Sequence, residues 1–252
     1  MFAKYLVFPF FFRIFAPQLC FNMSDKKNSL PVNTEQMFEE TVSKLESWFL
    51  KNQKTVTAAI LAIVIVVGGY FGYKFLYLEP REKTAQEEMF FAQNFFEIDS
   101  LHWALNGNGV HYGFIDIIDN FRGTRAANLA HYYAGVIYLK NGQFQDAIYH
   151  LKKFKTKDLI LAPMTRMLIG DCYAELGNMR EALSYYERAA SSHENEMVTP
   201  MALMKAAILC DIEGDYQKAL RFFMRIRNDF IRSPEARDID KYIAMMEAKI
   251  NQ

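Results

Sequence analysis

The chain has little cysteine, glycine or proline and no net charge. Its 252 residues include three cysteines, 12 glycines and seven prolines, against 29 basic and 29 acidic residues. Three cysteines without a C-x-x-C pair exclude a zinc ribbon and a dense disulfide scaffold. Charge balance gives no reason to expect nucleic-acid binding, because affinity for phosphates requires a basic excess. Scarce glycine and proline, with abundant leucine, isoleucine, methionine and alanine, are typical of a helical protein.

One long uncharged run stands out near the N-terminus. Residues 56–73 read VTAAILAIVIVVGGYFGY, and residues 75–78 extend the apolar stretch beyond Lys74. About 20 such residues cross the apolar core of a bilayer, so the run predicts a transmembrane helix over 56–78. A buried core helix, the alternative, would be shorter and apolar on one side only. Aromatic residues stand where interfacial ones are expected, near the two ends of the predicted helix: Trp48, Tyr70, Tyr73 and Tyr77.

The orientation of this helix cannot be read from charge. Three basic residues precede the run and three follow its end, so the positive-inside rule does not choose between the two topologies. Gly68 and Gly72 form a G-x-x-x-G pair, which either lets another membrane helix approach closely or reflects the ordinary abundance of glycine in such helices.

The residues before the run raise two questions. Residues 1–22 resemble a signal peptide, but Pro9 and Arg13 interrupt the apolar stretch and no cleavage motif follows. We therefore predict that residues 1–22 are an overextended start and that Met23 begins the natural protein. Residues 23–55 form a leader with a short helix whose apolar face is spaced three or four residues apart: Phe38, Val42, Leu45 and Phe49. This helix either lies at the membrane interface or continues the membrane helix.

A sparse frame recurs three times in the second half of the chain. Relative to starts at Asn128, Pro163 and Pro200, the template has a small residue at place 8, an aromatic at place 11, glycine at place 15 and alanine at place 20, and the third unit departs from it with cysteine at place 11. The residues at places 8, 11, 15 and 20 are Gly135, Tyr138, Gly142 and Ala147; Gly170, Tyr173, Gly177 and Ala182; and Ala207, Cys210, Gly214 and Ala219. A period close to 34 residues is the pattern of a helix-turn-helix repeat.

Each place of the frame has a physical reason. Small residues at places 8 and 20 let the two helices of a repeat approach closely. The glycine at place 15 ends the first helix, where a left-handed backbone is easily adopted only by glycine or asparagine. A large residue at place 24 (Leu151, Tyr186 or Phe223) fills the space against the next repeat. Proline at the junctions suits the first turn of a new helix.

The frame and its flanks define the predicted architecture. We expect an all-α fold, with a single N-terminal transmembrane helix followed by an α-solenoid. Its predicted parts are a degenerate helical pair over 79–127, three repeats over 128–232 and a capping helix over 233–252. Ser233-Pro234-Glu235 is a good start for that last helix, which a solenoid needs to cover the apolar face of its final repeat.

The repeats over Asn128–Arg232 resemble the tetratricopeptide repeat family. With the leader and anchor, the chain from Met23 onwards resembles the bacterial membrane-anchored proteins typified by the ancillary subunit of the Sec translocon, in versions found in the Bacteroidetes group. The resemblance implies a cytoplasmic N-terminus, a single-pass location in the inner membrane and a periplasmic repeat domain.

No motif of catalysis or of cofactor or metal binding occurs. NGNGVHYG has the spacing G-x-G-x-x-x-G and follows a helix, so it does not fit a dinucleotide loop. The five histidines never form H-E-x-x-H, although a histidine pair at catalytic distance remains open. We expect no enzyme, no cofactor, no metal and no small-molecule substrate. Cys172 and Cys210 lie on neighbouring first helices and are either buried thiols or a disulfide.

The resemblance also implies a binding groove lined by places 2, 5, 9 and 12 of the first helices. These candidate groove residues are Leu129, Tyr132, Val136, Leu139, Met164, Met167, Asp171, Met201, Met204, Ile208 and Asp211; Ala174 is the twelfth at these places. Chaperone-docking relatives clamp a C-terminal carboxylate there with lysine and asparagine. Here Tyr132, Val136 and Met167 replace those residue types. An apolar, methionine-rich groove suits exposed hydrophobic segments or a partner helix. Alternatively, these residues pack against the helices at the two ends of the array.

The functional prediction is a membrane-tethered adaptor for protein–protein interactions. By resemblance, its partners are translocon subunits, exported client proteins and periplasmic chaperones. A structural organiser of cell-envelope or division complexes is the alternative.

Overall fold

The structure, a computed structural model, describes residues 40–44, 47–48, 50–192 and 194–252. The predictions about the start at Met23 and about the apolar residues Phe38, Leu45 and Phe49 therefore fall outside the described residues. The chain divides after Gly68 into two units, 1–68 and 69–252.

The apolar run forms helix α1 (Gln53–Gly72), which has no buried residue. A π-helical segment, Tyr73–Leu78, and helix α2 (Glu79–Glu97) follow it without a break. Within the described residues, Gln53–Glu97 is the one helix long and apolar enough to cross a membrane, a property of its length and composition. Uniform exposure of large apolar side chains such as Ile65 and Val66 is what a lipid-facing helix shows and a core helix does not.

Every other regular element of the described ranges is also helical, which confirms the prediction of an all-α fold for that part of the chain. The elements in chain order are α3 (Leu101–Asn106), α4 (Phe114–Asn120), α5 (Arg125–Lys140), α6 (Phe144–Lys153), α7 (Leu161–Glu175), α8 (Met179–Ser192), α9 (Val198–Ile212), α10 (Tyr216–Asp229), a 3-10 turn (Pro234–Ala236) and α11 (Ile239–Ile250). Consecutive helices from α5 to α11 pack against each other, so the array grows by adding one helix at a time.

The turn glycines end the first helix of each pair. Gly142, Gly177 and Gly214 have φ angles of 73°, 75° and 81°, in the left-handed region. The next residue then donates its backbone N–H to a carbonyl near the helix end, as Gln143 does to Tyr138 at 2.8 Å. This Schellman arrangement satisfies carbonyls that the helix end would otherwise leave unpaired.

The two helices of a pair meet at small residues. A Cβ atom placed on Gly135 would lie 2.6 Å from Leu151 Cγ, and one on Gly170 would lie 2.6 Å from the Tyr186 ring. Even alanine would therefore crowd these contacts. The alanines at place 20, such as Ala147 and Ala182, are fully buried. Place 8 and place 20 thus set the distance between α5 and α6 and between α7 and α8.

The helices before the array are joined to it by polar contacts. The Glu82 carboxylate of α2 accepts hydrogen bonds from the backbone N–H of Arg125 at 2.6 Å and of Ala126 at 3.3 Å, at the start of α5. Thr124 caps the same helix by accepting from Ala127 N–H at 3.1 Å. A carboxylate at a helix N-terminus pairs unsatisfied donors and is favoured by the helix dipole. Arg81 of α2 also donates to the carbonyl of Asn120.

The far end of the array is covered by α11. Tyr242 of α11 stacks on Phe223 of α10, with ring centroids 5.2 Å apart. Ile243 and Met246 are buried in the same core as Phe223. The Ser233 hydroxyl accepts from Ala236 N–H at 3.3 Å and so caps the short turn before α11. Together these contacts shield the last repeat's apolar face.

Candidate protein-binding groove

The eleven candidate groove residues lie on three helices, α5, α7 and α9, which contact each other in that order. Nine are half-buried: Leu129, Tyr132, Val136, Leu139, Met164, Asp171, Met201, Met204 and Asp211. The structure therefore brings them onto neighbouring first helices, at the boundary between core and solvent. Their role as a binding surface stays a prediction.

Two of the candidates differ from the rest. Ile208 is 42% exposed, whereas Met167 is 3% exposed and belongs to the core that helices α7–α11 share. Ile212, one turn beyond Ile208, is also exposed. Residues four apart share a helix face, so the two isoleucines form an open apolar stripe on α9. Met167 is therefore packed in the core and is not open to a ligand.

The remaining methionines are also partly engaged. Met164, Met201 and Met204 pack against the core that contains Met167 while keeping part of their surface open. Methionine has three flexible torsions and a polarizable sulfur, so it can adapt to a new contact without losing the old one. These side chains form a deformable floor beside the exposed stripe of α9.

Tyr132 is packed rather than poised for a polar ligand. Its ring meets Tyr133 edge-on, with centroids 5.7 Å apart, and lies 5.4 Å from the Phe154 ring. Burial, with a smaller contribution from Tyr133, raises the pKa of the Tyr132 hydroxyl. A half-buried phenol packed against two aromatic rings supplies no positive charge for binding a carboxylate.

Asp171 takes part in a hydrogen-bonded group that sequence reasoning missed. Its Oδ1 accepts from the Tyr186 hydroxyl at 2.8 Å and lies 2.9 Å from Lys205 Nζ. Burial and the Asp171 charge raise the pKa of Tyr186, so its hydroxyl stays protonated and donates. The spacing of Asp171 and Lys205, one repeat length apart on first helices, is the signal that could have revealed the pair.

Two more ion pairs join successive layers in the same way. Asp211 of α9 binds Lys249 of α11, and Lys140 of α5 lies 3.1 Å from Asp99, in the turn after α2. We call these two pairs, together with Asp171–Lys205, the ladder. Both acidic candidates, Asp171 and Asp211, are therefore already paired with lysine.

A pocket of about 510 Å³ opens beside this ladder. It is lined by Leu139, Lys140, Gly142, Phe144, Asp171, Ala174, Glu175, Tyr186 and Lys205. Two candidate residues, Leu139 and Asp171, border it, so the pocket is continuous with the predicted groove. Its lining mixes apolar surface with both signs of charge, which suits a peptide side chain better than a single anion.

His131 and His150 form the close histidine pair that the sequence left open. Their Nδ1 atoms lie 3.0 Å apart, so one neutral ring donates to the other. Burial, assisted by His150 and Lys153, lowers the pKa of His131 from 6.5 to about 4, and burial lowers the pKa of His150. Among the described residues no group of three metal-ligating side chains occurs. The pair joins α5 to α6; His193 falls outside the described residues.

Cys172 and Cys210 are buried free thiols. Burial raises the pKa of Cys172 to about 12 and that of Cys210 to about 11. Because the thiolate is the nucleophile, such cysteines are unreactive. Of the two interpretations, buried thiols and a disulfide, the structure has buried thiols, and both side chains occupy core positions.

The loop NGNGVHYG is closed on itself. Asn108 Oδ1 accepts from the backbone N–H of Val110 at 3.0 Å and of His111 at 2.8 Å. A Cβ on Gly113 would lie 2.3 Å from Gly107 N, so the two ends of the loop are in contact there. These N–H groups are thus not directed at a phosphate, and the glycines allow close backbone packing.

Comparison with known proteins identifies two of the repeats. Residues 129–158 and residues 165–195 each match the tetratricopeptide repeat family. The matches correspond to α5–α6 and α7–α8, and they confirm that the chain carries tetratricopeptide repeats. No curated protein matches the chain. Repeats of this family are generally non-catalytic scaffolds that bind other proteins.

Proposed function

We propose that the chain is a membrane-tethered adaptor whose first helices bind segments of other proteins. The observation that carries the proposal is the surface of α5, α7 and α9. It combines the exposed Ile208–Ile212 stripe with half-buried methionines and a pocket of about 510 Å³. Such a surface fits an amphipathic helix or an extended apolar segment, the occupants for which helical grooves are suited.

Tethering supplies the mechanism. With α1 in a membrane, the groove is confined to a thin layer at the surface, and the effective concentration of clients that emerge there rises without any new contact. The candidate span, its exposed apolar surface and its aromatic flank support this step.

The resemblance in arrangement narrows the proposal. A leader, one anchor and a repeat array suggest an inner-membrane protein with a cytoplasmic N-terminus and a periplasmic array. Its proposed partners are Sec translocon subunits, newly exported proteins and their chaperones. A structural organiser of envelope or division complexes is the second candidate, because the same groove would serve a permanent partner equally well.

Crosslinking in cells tests both candidates. A photoreactive residue at position 208 should capture translocon subunits and exported chains, since Ile208 is exposed on the groove side of α9. The matched control is position 181, where Glu181 is exposed on α8. Capture of cell-wall or division proteins alone from position 208 would favour the organiser. Equal adducts from both positions would refute a groove-specific function.

A further inference from the structure

The loop between α6 and α7 carries an unusual combination of side chains. We call residues 154–160 the lysine loop. Lys155 and Lys157 are exposed, Leu159 is 61% exposed and Ile160 is 42% exposed. Lys153, in the last turn of α6, is also exposed and lies over the exposed ring of Tyr149. Basic, aliphatic and aromatic side chains thus share one exposed region.

Hydrogen bonds hold the backbone of the lysine loop, so its exposed side chains extend from a defined backbone. Asp158 Oδ1 accepts from Ile160 N–H at 2.9 Å and from Leu161 N–H at 2.8 Å, which lowers the pKa of Asp158. The carbonyl of Leu159 accepts from the Asn195 amide at 3.2 Å. The exposed Asp158 carboxylate stays charged, so the loop carries two positive charges and one negative charge, and Lys153 beside it adds a third positive charge.

Contacts place the lysine loop at the edge of the array that is reached by Tyr73–Leu78. These residues end the predicted membrane helix, and we call them the exit segment. Asn128, in the first turn of α5, donates to the Lys155 carbonyl and accepts from Lys155 N–H, both at 2.9 Å. The start of α5 is in turn capped by Glu82 of α2.

The exit segment is joined to this same edge. Arg81 donates to the Tyr77 hydroxyl and to the Asn120 carbonyl, just before α5. A Cβ on Gly123 would lie 3.8 Å from Leu78. The helix-ending turns at Gly142 and Gly177 lie at the other ends of α5 and α7, since each marks the C-terminus of its helix.

We propose that the lysine loop docks on the anionic lipid surface from which Tyr73–Leu78 emerges. Lys155 and Lys157 would pair with lipid phosphates, while Leu159 and Ile160 enter the headgroup layer. Each lysine near an anionic surface contributes about 1 kcal/mol, and exposed aliphatic residues add burial. The proposal rests on the membrane anchoring given under the proposed function. Docking would fix the array against the bilayer and so fix the direction in which its groove faces.

A lipid-quenching experiment tests the docking. The full chain with Cys20→Ser and Leu159→Cys is labelled with an environment-sensitive fluorophore; Cys172 and Cys210 are buried and unreactive. It is reconstituted with lipid spin-labelled near the headgroup, in vesicles with phosphatidylglycerol or of phosphatidylcholine alone. Quenching should be at least about twofold stronger with the anionic lipid. A label at Asn178→Cys, in the α7–α8 turn, should show no such difference.

Charge variants give the second measurement. Lys155→Gln with Lys157→Gln should lower the ratio of docked to undocked arrays by about 30-fold, the effect of about 1 kcal/mol per lysine. The Asn128 contacts use the Lys155 backbone, so the loop itself should persist. Arg180→Gln with Lys241→Gln, two exposed positions outside the loop, removes the same charge elsewhere and should leave quenching unchanged.

Three results would overturn the proposal. The first is equal quenching of labels at positions 159 and 178, and the second is equal quenching at 159 in the two lipids. The third is a label at position 159 that becomes inaccessible to solvent in cell membranes but not in vesicles of pure lipid, which would show that the loop binds a protein partner. Resistance of the chain to alkaline carbonate extraction separates these outcomes from failure of the anchor, in which case the chain would wash off.

Discussion

Two regions of the molecule are held together differently. In the repeats, Gly170 of α7 contacts the Tyr186 ring of α8. In the leading helices α2–α4, Glu82 and Glu88 of α2 accept hydrogen bonds from backbone groups of other elements. Glu88 Oε2 accepts from Tyr112 N–H at 2.9 Å, much as Glu82 accepts from the start of α5. In the repeats, small residues thus set the distance between the two helices of a pair. The leading helices α2–α4 are organised by hydrogen bonds that each occur once.

This difference has consequences for tolerance to change. A contact between a glycine and a ring can relax, because the ring can move slightly. A contact between two backbone segments cannot, and removing a carboxylate that accepts from backbone N–H groups also removes the link it makes between two elements. We therefore expect the leading helices to be less tolerant of substitution at their contact points than the repeats.

The largest effect is expected at Gly113. A Cβ there would lie 2.3 Å from Gly107 N and 2.4 Å from the Leu105 carbonyl oxygen, and neither atom can move without its backbone. Gly113→Ala should cost about 3 kcal/mol of stability and should expose α3 and α4 to hydrogen exchange while α7–α10 stay protected. Gly109→Ala is the control: its Cβ meets nothing within 4 Å, and only its positive φ costs energy, about 1 kcal/mol. Equal exchange in both variants would contradict the distinction.

A smaller effect is expected inside the repeats. Gly170→Ala places a Cβ 2.6 Å from the Tyr186 ring, whose rotation can relieve part of the overlap, so we expect a loss of about 2 kcal/mol. Chemical denaturation of the full chain in detergent micelles measures it. Gly177→Ala, on the same helical pair but in open space, should cost only about 1 kcal/mol. A larger loss for Gly177→Ala would show that the turn, not the close approach, limits the repeat.

The smallest effect concerns the histidine pair within the first repeat. His131 has a folded pKa of about 4 against 6.5 when unfolded, so the unfolded chain binds more protons between these values. The stability contribution is therefore complete above pH 6.5 and is lost as the pH falls towards 4. Asp119 opposes the lowering of the His131 pKa, and Asp146 that of His150.

His131→Gln should flatten this dependence. Because the ring is only partly buried, we expect the variant to lose about 1 kcal/mol less stability than the native chain between pH 7 and pH 5. Thermal unfolding at both pH values measures the difference. The control is His102→Gln, an exposed position on α3. The same flattening in the control would indicate that general charge, and not the pair, sets the pH dependence.

The periodic part of the fold could be predicted from sequence because its physics repeats. Turn glycines, small residues at place 8 and large ones at place 24 are imposed at each repeat by the same helix spacing, as Gly170 and Tyr186 illustrate. Glu82 and Glu88 could not be assigned in this way. Any exposed glutamate on a helix reads alike in sequence, and only the fold brings one to a particular backbone donor.

The helices that carry the candidate groove residues could be predicted, but the exposure of each residue could not. Places 2, 5, 9 and 12 fall on adjoining first helices, yet Met167 is buried in the core that α7–α11 share. The partners of Asp171 and Asp211 were missed because each lies on the next layer, one repeat away. Exposure of a given place depends on how closely successive layers stack, which periodicity alone does not determine.

The ladder of lysine–aspartate pairs makes part of the contact between layers sensitive to salt. Each pair bridges two successive layers near the solvent, where one ion pair contributes at most about 1 kcal/mol and is weakened by salt. The buried cores between the same layers are far stronger. Raising the ionic strength should therefore weaken these three pairs while the buried cores stay closed. A charged client segment that competes for one of the lysines would weaken a single pair in the same way.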